Sequence, residues 1–200
     1  MPLSRAQAPF LILIVLILIG FGFAYFTPTN YELMAHLGMI IGFTILVLAT
    51  NKKVRYPPVI LSGLTAWAFL HLAGSNVIVG GSALYDRVIF PVASSLPIIR
   101  YDQIVHAIGF GFATALIYHI IASRVPDGAR NSAIILLVIA LAGLGIGAIN
   151  EMVEFITIAI FPTADIGGYE NTLLDLFGDF VGAILAVIII PLINSKKIMT

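Results

Sequence analysis

Cysteine is absent from this chain, which excludes disulfides and thiolate-held metal or cluster sites. Charge is scarce as well. Only 10% of the residues are Asp, Glu, Lys or Arg, where a soluble domain carries about 25%. The formal net charge is +0, so no global field points to nucleic acid as a partner. No long polar tract interrupts the 200 residues, so a second, soluble domain is not expected. The signatures H-E-x-x-H, G-x-S-x-G, the P-loop and that of phosphatidic-acid phosphatases are missing too, which removes the common hydrolase and nucleotide readings.

What fills the chain is apolar: 60% of it is hydrophobic. Six runs reach the length of about 20 residues that a helix needs to cross a bilayer: Pro9–Phe26, Tyr31–Thr50, Pro57–Val79, Asp102–Ser123, Asn131–Phe161 and Thr172–Ile193. Barrel strands would alternate polar and apolar residues, whereas these runs are continuous. The expectation is an all-α integral membrane protein, a six-helix bundle forming one membrane domain over residues 1–200. The first run has a small-x-small pair, Gly22 and Ala24, of the kind seen at signal-peptide cleavage sites. Its apolar stretch is long for a signal peptide, and a retained span is expected. The lipid bilayer is then the first partner.

Lys and Arg in the connections set the orientation. One side receives Arg5, Lys52, Lys53, Arg55, Arg124, Arg130, Lys196 and Lys197, and the other only Arg87 and Arg100. This bias predicts a multi-pass plasma-membrane protein with both termini cytoplasmic. The connections 74–101 and 162–171 then lie outside. "VIFPVASSLPIIR" in the first of these is apolar with two prolines and reads either as a lid lying on the membrane surface over the site or as a merely interfacial segment.

Against this background the stretch "GIGAINEMVEFITIAIF" is anomalous, because a span carries Glu151 and Glu154. An Asp at the centre of a membrane helix costs about 2.5–3.5 kcal/mol. Ionisable residues in spans face the bundle interior and mark function. The topology places Glu32, His36, His71, Asp102, His106, Glu151, Glu154, Asp175 and Asp179 in one layer near the outer side. Glu32/His36, Asp102/His106, Glu151/Glu154 and Asp175/Asp179 are spaced i,i+3 or i,i+4, so each pair shares a helix face. No Lys or Arg falls among them in the expected spans. Leaving Glu32 and His36 aside, the five carboxylates Asp102, Glu151, Glu154, Asp175 and Asp179 cannot all ionise together in a low-dielectric site, so either several hold protons or a cation lies between them.

Imidazoles mixed with carboxylates make a metal ligand set, as in four-helix bundles with inward Glu and Glu-x-x-His residues. The expected ligands are His71, Asp102, His106, Glu151, Glu154, Asp175 and Asp179. The oxygen-rich set without sulfur suits a divalent ion, Zn, Mn, Fe or Mg. Glu151 or Glu154, if free of metal, is the expected catalytic base. Glu32 and His36 read equally as site members or as a rim pair at the water interface. Asn150 reads as a donor that orients a glutamate or as a packing residue. His119, near the opposite end of its span, is read as interfacial, and so are Trp67, Tyr85, Tyr101, Tyr118 and Tyr169.

Helix four reads "DQIVHAIGFGFA" and helix six "DLFGDFVGAILA". Both fit D-x-x-x-[H/D]-x-x-G, with Gly109 and Gly182 in register. Helix two keeps only Glu32-x-x-x-His36. Three helical-hairpin repeats are therefore expected, each handing ligands inward from its second helix.

The segments "YDQIVHAIGFG", "NEMVEF" and "GYENTLLDLFGDFVGA" resemble the YjdF-like family of bacterial and archaeal membrane proteins. They are more distantly similar to the VanZ-like family linked to glycopeptide resistance. The resemblance covers roughly residues 60–185. It rests on Asp102, His106, Glu151, Glu154, Tyr169, Thr172, Asp175, Asp179 and Gly182, with His71 in "WAFLHLAGS" as an upstream histidine. It does not extend to Glu32 or His36. It implies a membrane fold and little about function.

Three functions fit these observations: a metal-dependent enzyme acting on a lipid or lipid-linked substrate, a divalent-cation transporter or binding protein, and a non-catalytic protein held together by a metal or polar network. Few polar residues continue toward the inner side, which counts against transport. The absence of native cysteine makes the topology directly testable. Asp86→Cys is expected to react with a membrane-impermeant maleimide on intact cells and Arg55→Cys only after lysis; the reverse pattern overturns the orientation.

Overall fold

A computed structural model describes residues 4–90, 99–162 and 168–198, without the side chains of 194–198. Six helices follow one another along the chain: α1 Ala8–Tyr25, α2 Tyr31–Val54, α3 Pro58–Asn76, α4 Tyr101–Ala122, α5 Ala133–Ile160 and α6 Tyr169–Ile198. All six are long and apolar enough to cross a membrane, so the expected all-α membrane bundle is the observed fold. At 1.5 Å per residue the 28 residues of α5 extend about 42 Å, beyond a hydrocarbon core of about 30 Å.

The helix starts follow local chemistry. The Asn30 side chain accepts from the Leu33 N–H at 3.1 Å and caps α2. Ser132 caps α5 in the same way through Ile135. Prolines sit in the first turns of α1 and α3, where a missing N–H costs no helical bond. The turn after α2 needs Arg55 in the left-handed region, at φ 53°.

Side chains turned outward are large and apolar, among them Phe23, Ile134 and Phe155. In water such a surface would aggregate; in a bilayer it is the lipid-facing shell. α1 is the extreme case, burying only Ile17.

The helices meet at both ends in a way that fixes their antiparallel order. At one end Gln7 and Asn51 exchange two side-chain hydrogen bonds of 3.0 Å, and Gln7 also donates to the Tyr56 carbonyl. His119 Nε2 lies 3.0 Å from the Val54 carbonyl oxygen, and the Tyr118 hydroxyl donates to Asn131. This is the end that carries Arg5, Lys52, Lys53, Arg55, Arg124 and Arg130. At the other end Asn30 donates to Asn76, and Tyr31 stacks on Phe161 with ring centroids 4.3 Å apart.

The connection after α3 contains two short antiparallel pairs. β1 Ile78–Val79 pairs with β2 Ser82–Ala83 through the glycines Gly80 and Gly81, both at positive φ. β3 Val88–Phe90 pairs with β4 Ile99–Arg100. Between them a 3-10 turn, Leu84–Asp86, carries Tyr85 inward. Residues 91–98, the centre of the expected lid, lie outside the described residues.

The most extensive helix contact is that of α4 with α6. Small residues permit it. A Cβ on Gly182 would stand 2.1 Å from the Ala107 carbonyl oxygen, and one on Gly178 would stand 2.7 Å from that of Gln103. Backbones can approach this closely only where side chains are absent. Gly109, its partner in the repeated motif, instead makes room for the Trp67 ring. Gly182→Ala is expected to lower stability in detergent by about 1–3 kcal/mol through overpacking against backbone. Gly145→Ala, whose Cβ meets nothing within 4 Å, is expected to change it by less than about 0.5 kcal/mol. Equal melting shifts for the two would show that the α4–α6 contact is loose.

Candidate metal centre

The ionisable residues of five helices converge at the end of the bundle opposite the basic one. α2 contributes His36 from its second turn and α3 contributes His71 five residues before its end. α4 brings Asp102 and His106 from its first two turns, α6 brings Asp175 and Asp179 from its second and third, and α5 brings Glu151 and Glu154 from its last third. His36, His71, Asp102, His106, Glu151, Asp175 and Asp179 are buried, with Asp175 and Asp179 at 0% exposure; Glu154 is half-buried. No Lys or Arg forms an ion pair with these carboxylates among the described residues.

Three overlapping groups each offer ligand atoms within 4.8 Å of one another: Asp102 with His106 and Asp175; His106 with Glu151 and Glu154; and His36 with His71 and Glu154. Six of the seven expected ligands belong to them. The seventh, Asp179, stands behind His106: His106 Nδ1 is 2.9 Å from Asp179 Oδ1. The other ring nitrogen, Nε2, is 3.7 Å from Asp102 Oδ1. With its Nδ1 proton given to Asp179, a neutral His106 would present an Nε2 lone pair to a cation lying between it and Asp102. A carboxylate holding one nitrogen of a histidine while the other faces a metal is the usual outer support of a metal ligand. Gly147 makes room for Asp179, since a Cβ there would be 2.1 Å from Asp179 Oδ2.

Neutral amides tie the carboxylates together. Gln103 accepts from the Arg100 backbone N–H at 3.0 Å with its oxygen and donates to Asp175 Oδ1 at 2.7 Å with its nitrogen. Asn171 donates to Asp102 Oδ2 at 3.2 Å and also to Asp175 Oδ2. Asn150 donates to Glu154 at 2.8 Å and to Glu151 at 3.4 Å, the glutamate-orienting role of its two readings. Gln103 and Asn171 were not singled out in the sequence. Asn171 stands four residues before Asp175, so the same i,i+4 rule reaches it.

Two aromatic residues are displaced from their expected place at the membrane interface. Trp67 is buried and stacks on His71, ring centroids 5.1 Å apart. The Tyr85 hydroxyl contacts His71 Nδ1 at 2.5 Å and the His71 carbonyl oxygen at 2.8 Å. Burial, and then the carboxylates of Asp102 and Glu154, push the Tyr85 phenol well above its usual range, so it stays protonated. Gly74 admits the ring; a Cβ there would stand 2.1 Å from it. His36 belongs to a ligand group, whereas Glu32, its partner in the sequence pair, belongs to none of the three.

Several polar atoms of the cluster are buried without a hydrogen-bond partner: His36 Nε2, His71 Nε2, Asn150 Oδ1, Glu151 Oε2 and Asp179 Oδ2. Buried polar groups are ordinarily paired. Orphans gathered at one spot leave coordination positions for a ligand.

Beside the cluster an apolar groove of about 1210 Å³ runs between α3, α4 and α6. Ile104, Ala107, Gly111, Phe177 and Val181 line its middle, Gln103 its end at the cluster, and His119 and Arg130 its end near the basic face. Gln103 thus touches both the groove and Asp175.

No curated protein and no solved structure gives a match to this chain. A family model does, described as a predicted membrane protein family, and it matches residues 9–196. The chain therefore belongs to the DUF2238 family of predicted membrane proteins.

Proposed function

We propose that the buried cluster binds a divalent metal ion and that the protein is a metal-dependent membrane enzyme, acting on a lipid or lipid-linked substrate from the extracytoplasmic side. The observation that carries the reading is the Asp179–His106–Asp102 alignment, in which one imidazole nitrogen is held by a carboxylate and the other faces Asp102, with Asp175 in reach. His106, Asp102 and Asp175 are the primary ligands, and Asp179 positions His106. A cation would offset carboxylates that form no ion pair with Lys or Arg among the described residues. The donor set, rich in oxygen with one imidazole, accommodates Mg, Mn, Fe or Zn.

A metal in such a site polarises a phosphoryl or carbonyl oxygen or acidifies a bound water. Glu151 is the proposed general base. It is buried, its Oε1 lies 3.8 Å from His106 Nδ1, and its Oε2 has no partner. Glu154 is held by Asn150 and is its neighbour on the same helix face. The groove ending at Gln103 supports the lipid assignment, since it offers an apolar chain a seat in contact with the site. The basic residues at the far end of the bundle support cytoplasmic termini and an outward-facing site.

Transport is the weaker reading. Between the cluster and the basic end the buried polar side chains are few. Thr114 is one, and its hydroxyl donates to the Phe110 carbonyl of its own helix.

Elemental analysis of the detergent-purified protein is expected to find at least one divalent ion per chain, and one fewer in an Asp102→Asn, Asp175→Asn variant. Asp179→Asn is expected to retain the ion with about 10–100-fold lower affinity. Glu151→Gln is expected to keep it while lowering lipid turnover about 10²–10⁴-fold. Ion flux into liposomes without lipid turnover would replace the enzyme by a transporter. Metal-dependent melting with neither activity would leave a structural ion. A metal-free, equally stable protein would reduce the cluster to a polar network.

A further inference from the structure

The histidines of α2 and α3 form a second seat that the metal reading above does not use. His36 and His71 lie ring to ring, centroids 4.2 Å apart, and share with Glu154 a set of ligand atoms within 4.8 Å of one another. The rings are 2% and 1% exposed, and both Nε2 atoms are buried without a partner. Two imidazole nitrogens left bare side by side in a membrane bundle are the kind of orphan that native interiors avoid.

The surrounding hydrogen bonds determine which nitrogen carries the proton. The Tyr85 hydroxyl has one hydrogen and two close neighbours on His71, the carbonyl oxygen at 2.8 Å and Nδ1 at 2.5 Å. The carbonyl can only accept, so it takes the phenolic hydrogen. The Tyr85 oxygen then accepts from Nδ1–H, and Nε2 of neutral His71 is a lone pair. His36 repeats the arrangement. Its Nδ1 is 3.3 Å from Ser75 Oγ, and Ser75 donates to the Leu72 carbonyl oxygen at 3.4 Å. Ser75 Oγ also accepts from the Asn76 side chain at 2.7 Å, and with its own hydrogen on Leu72 it would accept from His36 Nδ1–H and leave His36 Nε2 as a lone pair as well. The Tyr85 contacts hold His71 in the ligand tautomer, and the Ser75 contact is compatible with the same tautomer for His36. Histidine ligands of metals are ordinarily fixed by a hydrogen bond at the second nitrogen in this way.

We infer that His36, His71 and Glu154 hold a second divalent ion, and that Glu154, which also groups with His106 and Glu151, links it to the first. Two imidazoles and one carboxylate form a nitrogen-rich set with an open coordination position, which suits Zn²⁺ or Fe²⁺ and rejects Mg²⁺. The seat stands on its own atoms. Its catalytic use rests on the function proposed above and narrows the substrate to a phosphoric ester. Two neighbouring ions can stabilise both the attacking and the leaving oxygen of a displacement at phosphorus.

The test is titration of chelator-stripped, full-length protein in detergent with Zn²⁺, read by elemental analysis after desalting. Two ions per chain are expected. His36→Gln and His71→Gln are each expected to leave one, and the Asp102→Asn, Asp175→Asn variant to leave the other. Tyr85→Phe removes only the hydroxyl that fixes the His71 tautomer. It is expected to weaken the second ion about 10–100-fold and leave the first unchanged, a selective effect that general loosening of the fold would not produce. One ion that survives His36→Gln and His71→Gln overturns the second seat and leaves the first intact. One ion that vanishes in those variants but survives the aspartate changes keeps the second seat and overturns the first. No bound Zn²⁺ overturns both.

Discussion

The low polarisability of the bilayer interior is the constraint on which this fold turns. A carboxylate exposed to hydrocarbon costs several kcal/mol, and the buried cluster gathers five of them that form no ion pair with Lys or Arg among the described residues. They are affordable only if each finds a partner inside the bundle, and the partners sit on different helices. Gln103 and Asn171 join α4 to α6, His106 joins Asp102 to Asp179, and Asn150 holds the two glutamates of α5. The polar cluster thus determines how α4, α5 and α6 must face one another, as a ring of hydrophobic residues would in a soluble core.

Close packing and polarity depend on each other here. Asp175 and Asp179 reach Gln103 and His106 because Gly178 and Gly182 let α6 lie against the backbone of α4. The glycines and aspartates alternate along one stripe of α6, so the helix delivers ligand and close contact on the same face. On α5, Gly147 admits Asp179 one turn away from Glu151. The lipid-facing surfaces carry no comparable specification; they are large, apolar and interchangeable.

The spans were legible in the sequence because each is a sum of hydropathy over about twenty residues, which no single residue can reverse. Their ends were less so. α2 runs on to Val54 because Asn51, Lys52 and Lys53 are compatible with a helix emerging into the headgroup region, where charge no longer costs what it costs in hydrocarbon. α3 stops at Asn76, short of Val79, because the chain there turns into the β1–β2 hairpin. The convergence of the ionisable side chains was legible for a different reason: spacing of three or four residues puts two side chains on one face, and a charged face must turn inward. That argument finds Asp102, His106, Glu151, Glu154 and Asp175 together. It cannot distinguish Asp179 as a support for His106 from a ligand, because both roles require the same face. It also cannot see Tyr85, which arrives through a connection rather than along a helix, or the burial of Trp67, whose residue type suggests the interface and whose actual neighbour is an imidazole.

The asymmetry of the donors gives the cluster its chemical character. On the α4–α6 side the groups are chiefly carboxylates bridged by amides. On the α2–α3 side they are imidazoles whose outer nitrogens are tied to hydroxyls. A pure polar network has no need for that gradient, since carboxylates alone could be joined by Asn and Gln. Nor does it need three imidazoles each held by one nitrogen with the other left without a hydrogen bond to carboxylate or hydroxyl. A cation, as proposed, would offset the carboxylates and employ the lone pairs at once. Trp67 and Leu72 packed over the histidine side would then exclude water from an ion that Glu154 connects to the carboxylate side. An apolar roof over a charged floor, with a lipid-sized groove leading to Gln103, is an arrangement in which a phosphoryl group can be bound dry while its chain stays in the membrane.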